Sequence, residues 1–235
     1  MTTLLLPPEI FARELADLEG DLHHHLFRVK RHRVGDLLRA VDGRGAARAA
    51  RVVAVDKRSA RLALGETLPA HEAARQVDLL VAAPRFERAS WLVEKATELG
   101  AAAIRFLATE RDPRGYGEGN FTRLRRVAAS AVEQSGRACL PQVTGPHDFA
   151  EIPRLLPPVA SRIVLDPGGG SWTRAEGATP VSLAVGPEGG FDPAEREQLL
   201  GWGFRPVTLG ERILRVETAA IAGCALALTS SPSTD

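Results

Sequence analysis

The sequence predicts an α/β domain built on a mostly parallel sheet, preceded by a small β-rich domain. Three observations predict it. The chain changes character near residue 70, from short β-type runs to longer apolar segments. Beyond residue 75, strand-like runs alternate with helical periodicity, the pattern of a parallel sheet covered by helices. One such run, Leu183-Ala184-Val185, passes through a glycine-rich loop into a strongly capped helix.

In the first part, residues 26–30, 37–41, 48–55 and 60–64 carry Val, Leu and Phe in β-type runs. Asp42-Gly43-Arg44-Gly45 reads as a hairpin turn, because glycine tolerates positive φ there. Thr67, Leu68, Pro69 and Ala70 lead into a linker, giving a domain over residues 1–70 and a second over 74–235. The second opens with Val77 to Ala83, an apolar run broken only by Asp78, of the kind a buried parallel strand needs. Ala89, Leu92, Val93, Ala96 and Leu99 recur at helical spacing, and Gly100 stops that helix. Ala103 to Leu107 is the next strand.

An amphipathic helix follows over residues 120–135, with Leu124, Val127, Ala128, Ala131 and Val132 on one face. Asn120 is its expected N-cap and Gly136 its stop. Arg162 to Leu165, Val181 to Val185 and Pro206 to Leu209 supply three more strands. Asp192-Pro193-Ala194-Glu195 is a helix start, with Asp as cap, Pro at the first helical position and Glu closing a capping box. Ala219 to Leu228 is apolar on nearly every side, so it is buried in a core or against another subunit. Ser230 to Asp235 reads as a frayed tail.

Composition narrows the classes of function. Of 235 residues, 44% are hydrophobic and 25% charged, a balance that supports a packed core rather than a disordered chain. No apolar run is long enough to span a bilayer, and Met1 to Pro8 lacks the features of a signal peptide. Cys139 and Cys224 stand far apart without metal-ligand spacing, as free thiols of a reducing cytoplasm do. The formal net charge is +1, so any affinity for RNA must come from local patches.

Two segments carry the chemistry. In Leu183-Ala184-Val185-Gly186-Pro187-Glu188-Gly189-Gly190-Phe191-Asp192, the glycines let the backbone approach a ligand closely at the C-terminal end of a parallel sheet. No G-x-G-x-x-G and no Walker lysine is present, which removes the dinucleotide and P-loop readings. Alone, the loop is equally a structural turn. In Leu209-Gly210-Glu211-Arg212-Ile213-Leu214-Arg215-Val216-Glu217-Thr218, a second strand ends in a glycine loop. Arg215 and Glu217 are by themselves compatible with a surface ion pair. Two such loops in one domain point to a composite pocket.

These two segments, in this order, closely resemble the RsmE family, uridine-N3 methyltransferases of 16S ribosomal RNA in the SPOUT superfamily. The resemblance extends through His24-His25-Leu26-Phe27-Arg28-Val29-Lys30-Arg31, Val34-Gly35-Asp36 and Asp42-Gly43. Lys95-Ala96-Thr97-Glu98-Leu99-Gly100, Thr109-Glu110-Arg111, and Glu133-Gln134-Ser135-Gly136-Arg137 with Pro141 complete it. The chain departs at Arg85, Phe106 and Val216, where the family often has Lys, Pro and Thr.

The resemblance implies a PUA-like β-barrel, then a SPOUT α/β domain with a C-terminal trefoil knot, assembled as a homodimer. It implies S-adenosylmethionine as cofactor, bound by Leu165, Gly186, Glu188, Gly189, Gly190, Leu209, Gly210, Ile213 and Leu214, with Ile213 and Leu214 covering the adenine. The implied substrate is 16S ribosomal RNA within the small ribosomal subunit. Uracil N3 carries a proton at neutral pH, so a carboxylate must take it or a cation must stabilise the anion. Glu217 and Glu188 are the candidate bases and Arg215 the candidate cation. Arg111 and Arg137 are candidates to reach RNA or the neighbouring subunit.

His23 to Arg33 holds three adjacent histidines plus Arg28, Lys30, Arg31 and Arg33, with no acid. On a strand, neighbouring histidines face opposite ways, which argues against a metal site. RNA phosphate contact through Arg28, Lys30 and Arg31 is the expectation, with a solvated basic face as the alternative. Arg123, Arg125 and Arg126 stand as a possible extension. Two rival functions remain open on the sequence: a SPOUT enzyme acting on tRNA, and a non-enzymatic RNA-binding assembly protein.

Overall fold

The computed structural model describes residues 1–111, 116–157, 161–173 and 180–229, so the expected tail from Ser230 lies outside the described residues. The chain divides into two compact units, Met1–Glu72 with Val132–Leu140, and Ala73–Ala131 with Pro141–Asp235.

The first unit runs β1 (Thr3–Leu5), α1 (Pro8–Phe11), β2 (Leu15–Glu19), α2 (Gly20–His23), a π-helical turn (His24–Val29), β3 (Leu37–Val41), β4 (Ala47–Val55) and β5 (Ser59–Leu68). Its strands form one sheet in the order β1-β3-β4-β5-β2. β3 and β4 are the expected hairpin, paired from Leu37↔Arg51 to Val41↔Ala47. Gly43 and Gly45 take φ of 72° and 110° in its turn. The Asp42 carboxylate accepts the amides of Arg44 and Ala46 at 2.8 and 2.9 Å, fixing the turn from inside. Leu4, Leu18, Leu26, Leu38 and Leu62 fill the core.

The expected strand at residues 26–30 is not formed. His24–Val29 is helical and continues α2. His23, Leu26 and Phe27 are the buried positions there, a helical and not an alternating spacing. The rings of His23 and Phe27, four residues apart, lie 5.3 Å centre to centre, and His23 Nε2 is 3.1 Å from the carbonyl of Asp56. A β reading of Phe27 and Val29 by residue type gives way to that packing.

The second unit runs β6 (Val77–Ala82), α3 (Phe86–Leu99), β7 (Ala103–Leu107), α4 (Glu118–Ser135), β8 (Gln142–His147), α5 (Ile152–Leu155), β9 (Ser161–Ser171), β10 (Val181–Val185), α6 (Pro193–Gly201), β11 (Arg205–Thr208) and α7 (Val216–Thr229). Six parallel strands take the order β11-β9-β10-β6-β7-β8. Every residue of β6 and β10 is buried, as central strands covered on both faces require. Val77, Leu79, Val81, Val181, Leu183 and Val185 pack under α3, α4 and α7. Leu80, Val164 and Ala184 face the other way, against Ile152, Leu199 and Phe204. Truncating a side chain such as Leu79 to Ala costs about 2–5 kcal/mol.

The helix ends follow their local chemistry. Gly100 closes α3 at φ 115°, and Gly136 follows α4 at φ 78°. Asn120 is not the cap of α4. Its amide already bonds the carbonyl of Gly117 at 2.9 Å, so it sits inside the first turn of a helix that begins at Glu118. Cys139 and Cys224 are free thiols. Among the described residues no helix is long and apolar enough to cross a membrane.

Candidate active site

The ends of β10 and β11 and the middle of β9 converge on one cavity of about 300 Å³ in the second unit. The first wall is the loop that leaves β10. A Cβ on Gly186 would stand 3.0 Å from both the amide nitrogen and the ring of Phe191, so the loop folds back over a bare α-carbon. Gly190 takes φ 72° and its amide donates to the carbonyl of Pro187 at 2.8 Å, closing a tight turn. Phe191 then leads into Asp192, whose carboxylate accepts the Glu195 amide at 2.7 Å and caps α6.

Glu195 does more than complete the capping box. One of its carboxylate oxygens accepts the amide of Asp192 at 2.9 Å. The other accepts the amide of Glu110 at 2.8 Å, and the residue is only 6% exposed. The segment after β7 is thereby tied to the start of α6. The next residue, Arg111, lies along the glycine turn and donates from Nη1 to the carbonyl of Gly189.

The second wall leaves β11. The Thr208 hydroxyl accepts the Gly210 amide at 3.1 Å and donates to the Gly210 carbonyl at 2.9 Å, with Gly210 at φ 111°. Ile213 lines the cavity and is nevertheless 74% exposed, an apolar side chain on the open side of a pocket. Leu165 and Asp166, on β9, form the floor. Asp166 accepts Nε of Arg196 at 2.7 Å and the amide of Gly168 at 2.8 Å. The Arg196 guanidinium, more than any other contact, holds its carboxyl below the ordinary value.

All nine residues expected around a cofactor, Leu165, Gly186, Glu188, Gly189, Gly190, Leu209, Gly210, Ile213 and Leu214, line this one cavity. Its size lies at the lower end of small-molecule pockets. Its makeup fits a nucleoside-like group: backbone amides and carbonyls of glycine turns for a polar ring edge, and Ile213 and Leu214 for a ring face.

Of the three residues expected to be catalytic, two stand outside the lining of this cavity. Glu188 lines it. Arg215 and Glu217 line a separate hollow of about 320 Å³ with Trp91 and Thr218. Arg88 joins the groups: its Nη1 donates to Glu188 Oε1 at 2.8 Å, and its Nε lies 3.6 Å from Glu217 Oε1. Glu217 Oε2 is buried and has no hydrogen-bond partner among the described atoms. Sequence reasoning missed Arg88, Trp91, Asp166 and the second role of Glu195, because no motif marks them.

The basic candidates separate. Arg28, Lys30 and Arg31 are exposed on the first unit. Arg28 donates to the Lys57 carbonyl at 3.3 Å beside a hollow of about 400 Å³ that His23 and Phe27 also line. Arg137 corrects the expectation. It is 5% exposed, and its Nε and Nη2 fork onto Glu72 Oε2 at 3.1 and 2.9 Å. The same carboxylate takes the amides of Ala138 and Cys139 at 2.8 Å each. Arg137 is a buried brace within the first unit and offers no free charge to RNA. Arg125 pairs with Glu118 at 2.6 Å and Arg123 stacks 4.6 Å over the ring of Phe86. Among the described residues no group of histidines, cysteines and carboxylates is arranged to hold a metal.

The chain is similar to known proteins along most of its length. An RNA methyltransferase domain family matches residues 71–228, and an RNA methyltransferase PUA domain family matches residues 18–64. Ribosomal RNA small subunit methyltransferase E of a Synechocystis species is 31% identical over 223 residues, covering 92% of this chain and 73% of that protein. Its namesake in Mycobacterium bovis is 30% identical over 222 residues, covering 88% and 83%. A crystal structure of ribosomal RNA small subunit methyltransferase E from Neisseria gonorrhoeae, bound to S-adenosyl methionine, superposes with a TM-score of 0.88. It is 28% identical, with 96% of this chain and 95% of that chain covered.

Proposed function

The chain belongs to the ribosomal RNA small subunit methyltransferase E family, and from that premise we propose that it methylates N3 of a uridine in 16S ribosomal RNA. It is an S-adenosylmethionine-dependent methyltransferase of ribosomal RNA. The observation that carries the site is the meeting of the β10 and β11 ends with the middle of β9 in one glycine-walled cavity.

Bound S-adenosylmethionine supplies a methyl carbon already activated by its sulfonium, so the protein chiefly aligns the partners. The cofactor residues are the nine that line the cavity, with Leu165 as floor, the two glycine loops as walls, and Ile213 and Leu214 over the ring. Glu217 is the better placed proton acceptor for uracil N3–H. It is buried, its Oε2 is uncommitted, and it opens on the hollow that Arg215 also lines. Glu188 is the alternative base, but its Oε1 is engaged by Arg88. Arg215 is exposed beside Glu217 and is suited to an anionic uracil or a phosphate. Arg111 contacts RNA from above the glycine turn in this reading.

The first unit, about residues 1–70, is the PUA-like RNA-binding domain, and Arg28, Lys30 and Arg31 are its phosphate contacts. The second, from about residue 74, is the SPOUT domain with a C-terminal trefoil knot. The return of α7 from the β11 edge to pack on β6 and β10 supports that topology. Homodimer formation is supported by exposed Trp91 and Leu99 on α3 and Leu226 on α7, two helices that pack together. The proposed setting is the cytoplasm, with the small ribosomal subunit as substrate.

The test is nucleoside mass spectrometry after incubation with S-adenosylmethionine and small subunits lacking the modification. New N3-methyluridine in 16S RNA is the expected product. A methylated nucleoside at another atom would overturn the N3 assignment, and no product with cofactor bound would overturn the substrate.

A further inference from the structure

We propose that Arg88 is the positioning residue that fixes the two walls of the methyl-transfer cavity against each other; this rests on reading that cavity as the S-adenosylmethionine site. Arg88 stands in the first turn of α3, whose Ala89, Leu92 and Val93 are fully buried against the sheet. Its α-carbon is therefore part of the rigid scaffold. Its guanidinium reaches Glu188, at the tip of the β10 loop, at 2.8 Å. The same group reaches Glu217, one residue into α7 beyond the β11 loop, at 3.6 Å. One planar cation thus touches the β10 loop and the start of the helix into which the β11 loop leads.

An exposed ion pair ordinarily contributes little, and Glu188 is 71% exposed. Two observations set Arg88 apart from that case. Glu217 is 10% exposed in its side chain, and Arg88 is its ion-pair partner. A carboxylate so buried needs a nearby cation. Behind the β10 loop, moreover, lies a polar hollow of about 190 Å³ between Pro84, Arg88 and Pro187. On that side Arg88, which lines the hollow, donates to Glu188 of the loop that carries glycines at 186, 189 and 190.

The experiment compares wild type with Arg88→Gln and Arg88→Lys, each checked for folding by thermal melting. Binding of S-adenosylmethionine is followed by calorimetric titration and methyl transfer to unmodified small subunits by steady-state kinetics. Misplacing a reacting group by about 1 Å costs on the order of 10²-fold, so Arg88→Gln is expected to lower kcat/KM for the cofactor about 10²-fold. Arg88→Lys, which keeps the charge, is expected to recover about tenfold of that loss. Unchanged constants in a folded Arg88→Gln protein would overturn the proposal. So would a lowered melting temperature with kinetics intact, which is the signature of a purely structural pair. If wild type itself binds no S-adenosylmethionine, the reading of the cavity falls first and this proposal with it.

Discussion

Glu195→Gln tests how a buried cap holds the site. The native carboxylate takes two amides, from Asp192 at 2.9 Å and Glu110 at 2.8 Å, at a position 6% exposed. Glutamine has nearly the same shape but only one acceptor oxygen, and its NH₂ must face the second amide. Loss of one hydrogen bond to a charged group costs about 1.5–3 kcal/mol. The surviving bond, no longer charge-assisted, weakens by roughly another 0.5–1 kcal/mol. The expected loss is about 3 kcal/mol. In a chain of this size that lowers Tm by about 6–12 °C. Urea titration should show a lower midpoint with an unchanged slope. Because Arg111 follows Glu110, cofactor affinity should fall as well. Glu197→Gln, exposed on the same helix, should stay within about 0.5 kcal/mol of wild type. If Glu195→Gln costs less than about 1 kcal/mol, the Glu110 amide finds water instead, and Glu195 does not tie the segment after β7 to α6.

Three further outcomes are expected. Ile213→Ala removes an apolar side chain that is 74% exposed, so Tm should hold while S-adenosylmethionine binds about tenfold more weakly, as loss of roughly 1.5 kcal/mol of ring contact implies; equal affinity would remove Ile213 from the cofactor site. Arg28→Ala with Arg31→Ala should weaken RNA binding and flatten its dependence on salt by about 1.5 in log–log slope; an unaltered slope would leave the two arginines as solvated charges. For Asp166, whose carboxyl is depressed below 3.8 chiefly by Arg196, the stabilisation is full above about pH 4 and is lost as pH falls through the depressed value. The Tm difference between wild type and Arg196→Gln should therefore be constant near pH 6 and shrink toward pH 2, whereas a constant gap would refute the linkage.

Much of the second unit was legible because its signals are local. Val77–Ala82 and Val181–Val185 are strands apolar at every position but Asp78 and Ser182, and Gly100 and Gly136 end helices through their own backbone freedom. The two glycine loops were legible for the same reason. What stayed hidden depends on partners far away in the chain. Arg88 meets Glu188 across 100 residues, Glu195 meets Glu110 across 85, and Arg137 meets Glu72 across 65. A charge in a sequence does not announce its counter-ion, so Arg137 read as a free cation. The short strands β1 and β2 and the turn at His24–Val29 were missed or misread because three to six residues give too little periodicity to separate strand from helix.

The sheet order has a consequence for how the chain is made. β6 is the strand on which β10 docks, Val77 against Val181, yet about a hundred residues of chain separate the two. At a synthesis rate of roughly 5–20 residues per second, β6 waits for several seconds with the edge that β10 will take unpaired. Non-local parallel pairing of this kind folds slowly and leaves strand edges open to other chains. The nascent protein is thus most vulnerable to aggregation between the emergence of β6 and that of β10, and a holdase that covers Val77–Ala82 during that interval would raise the yield of active enzyme more than one that meets the finished chain.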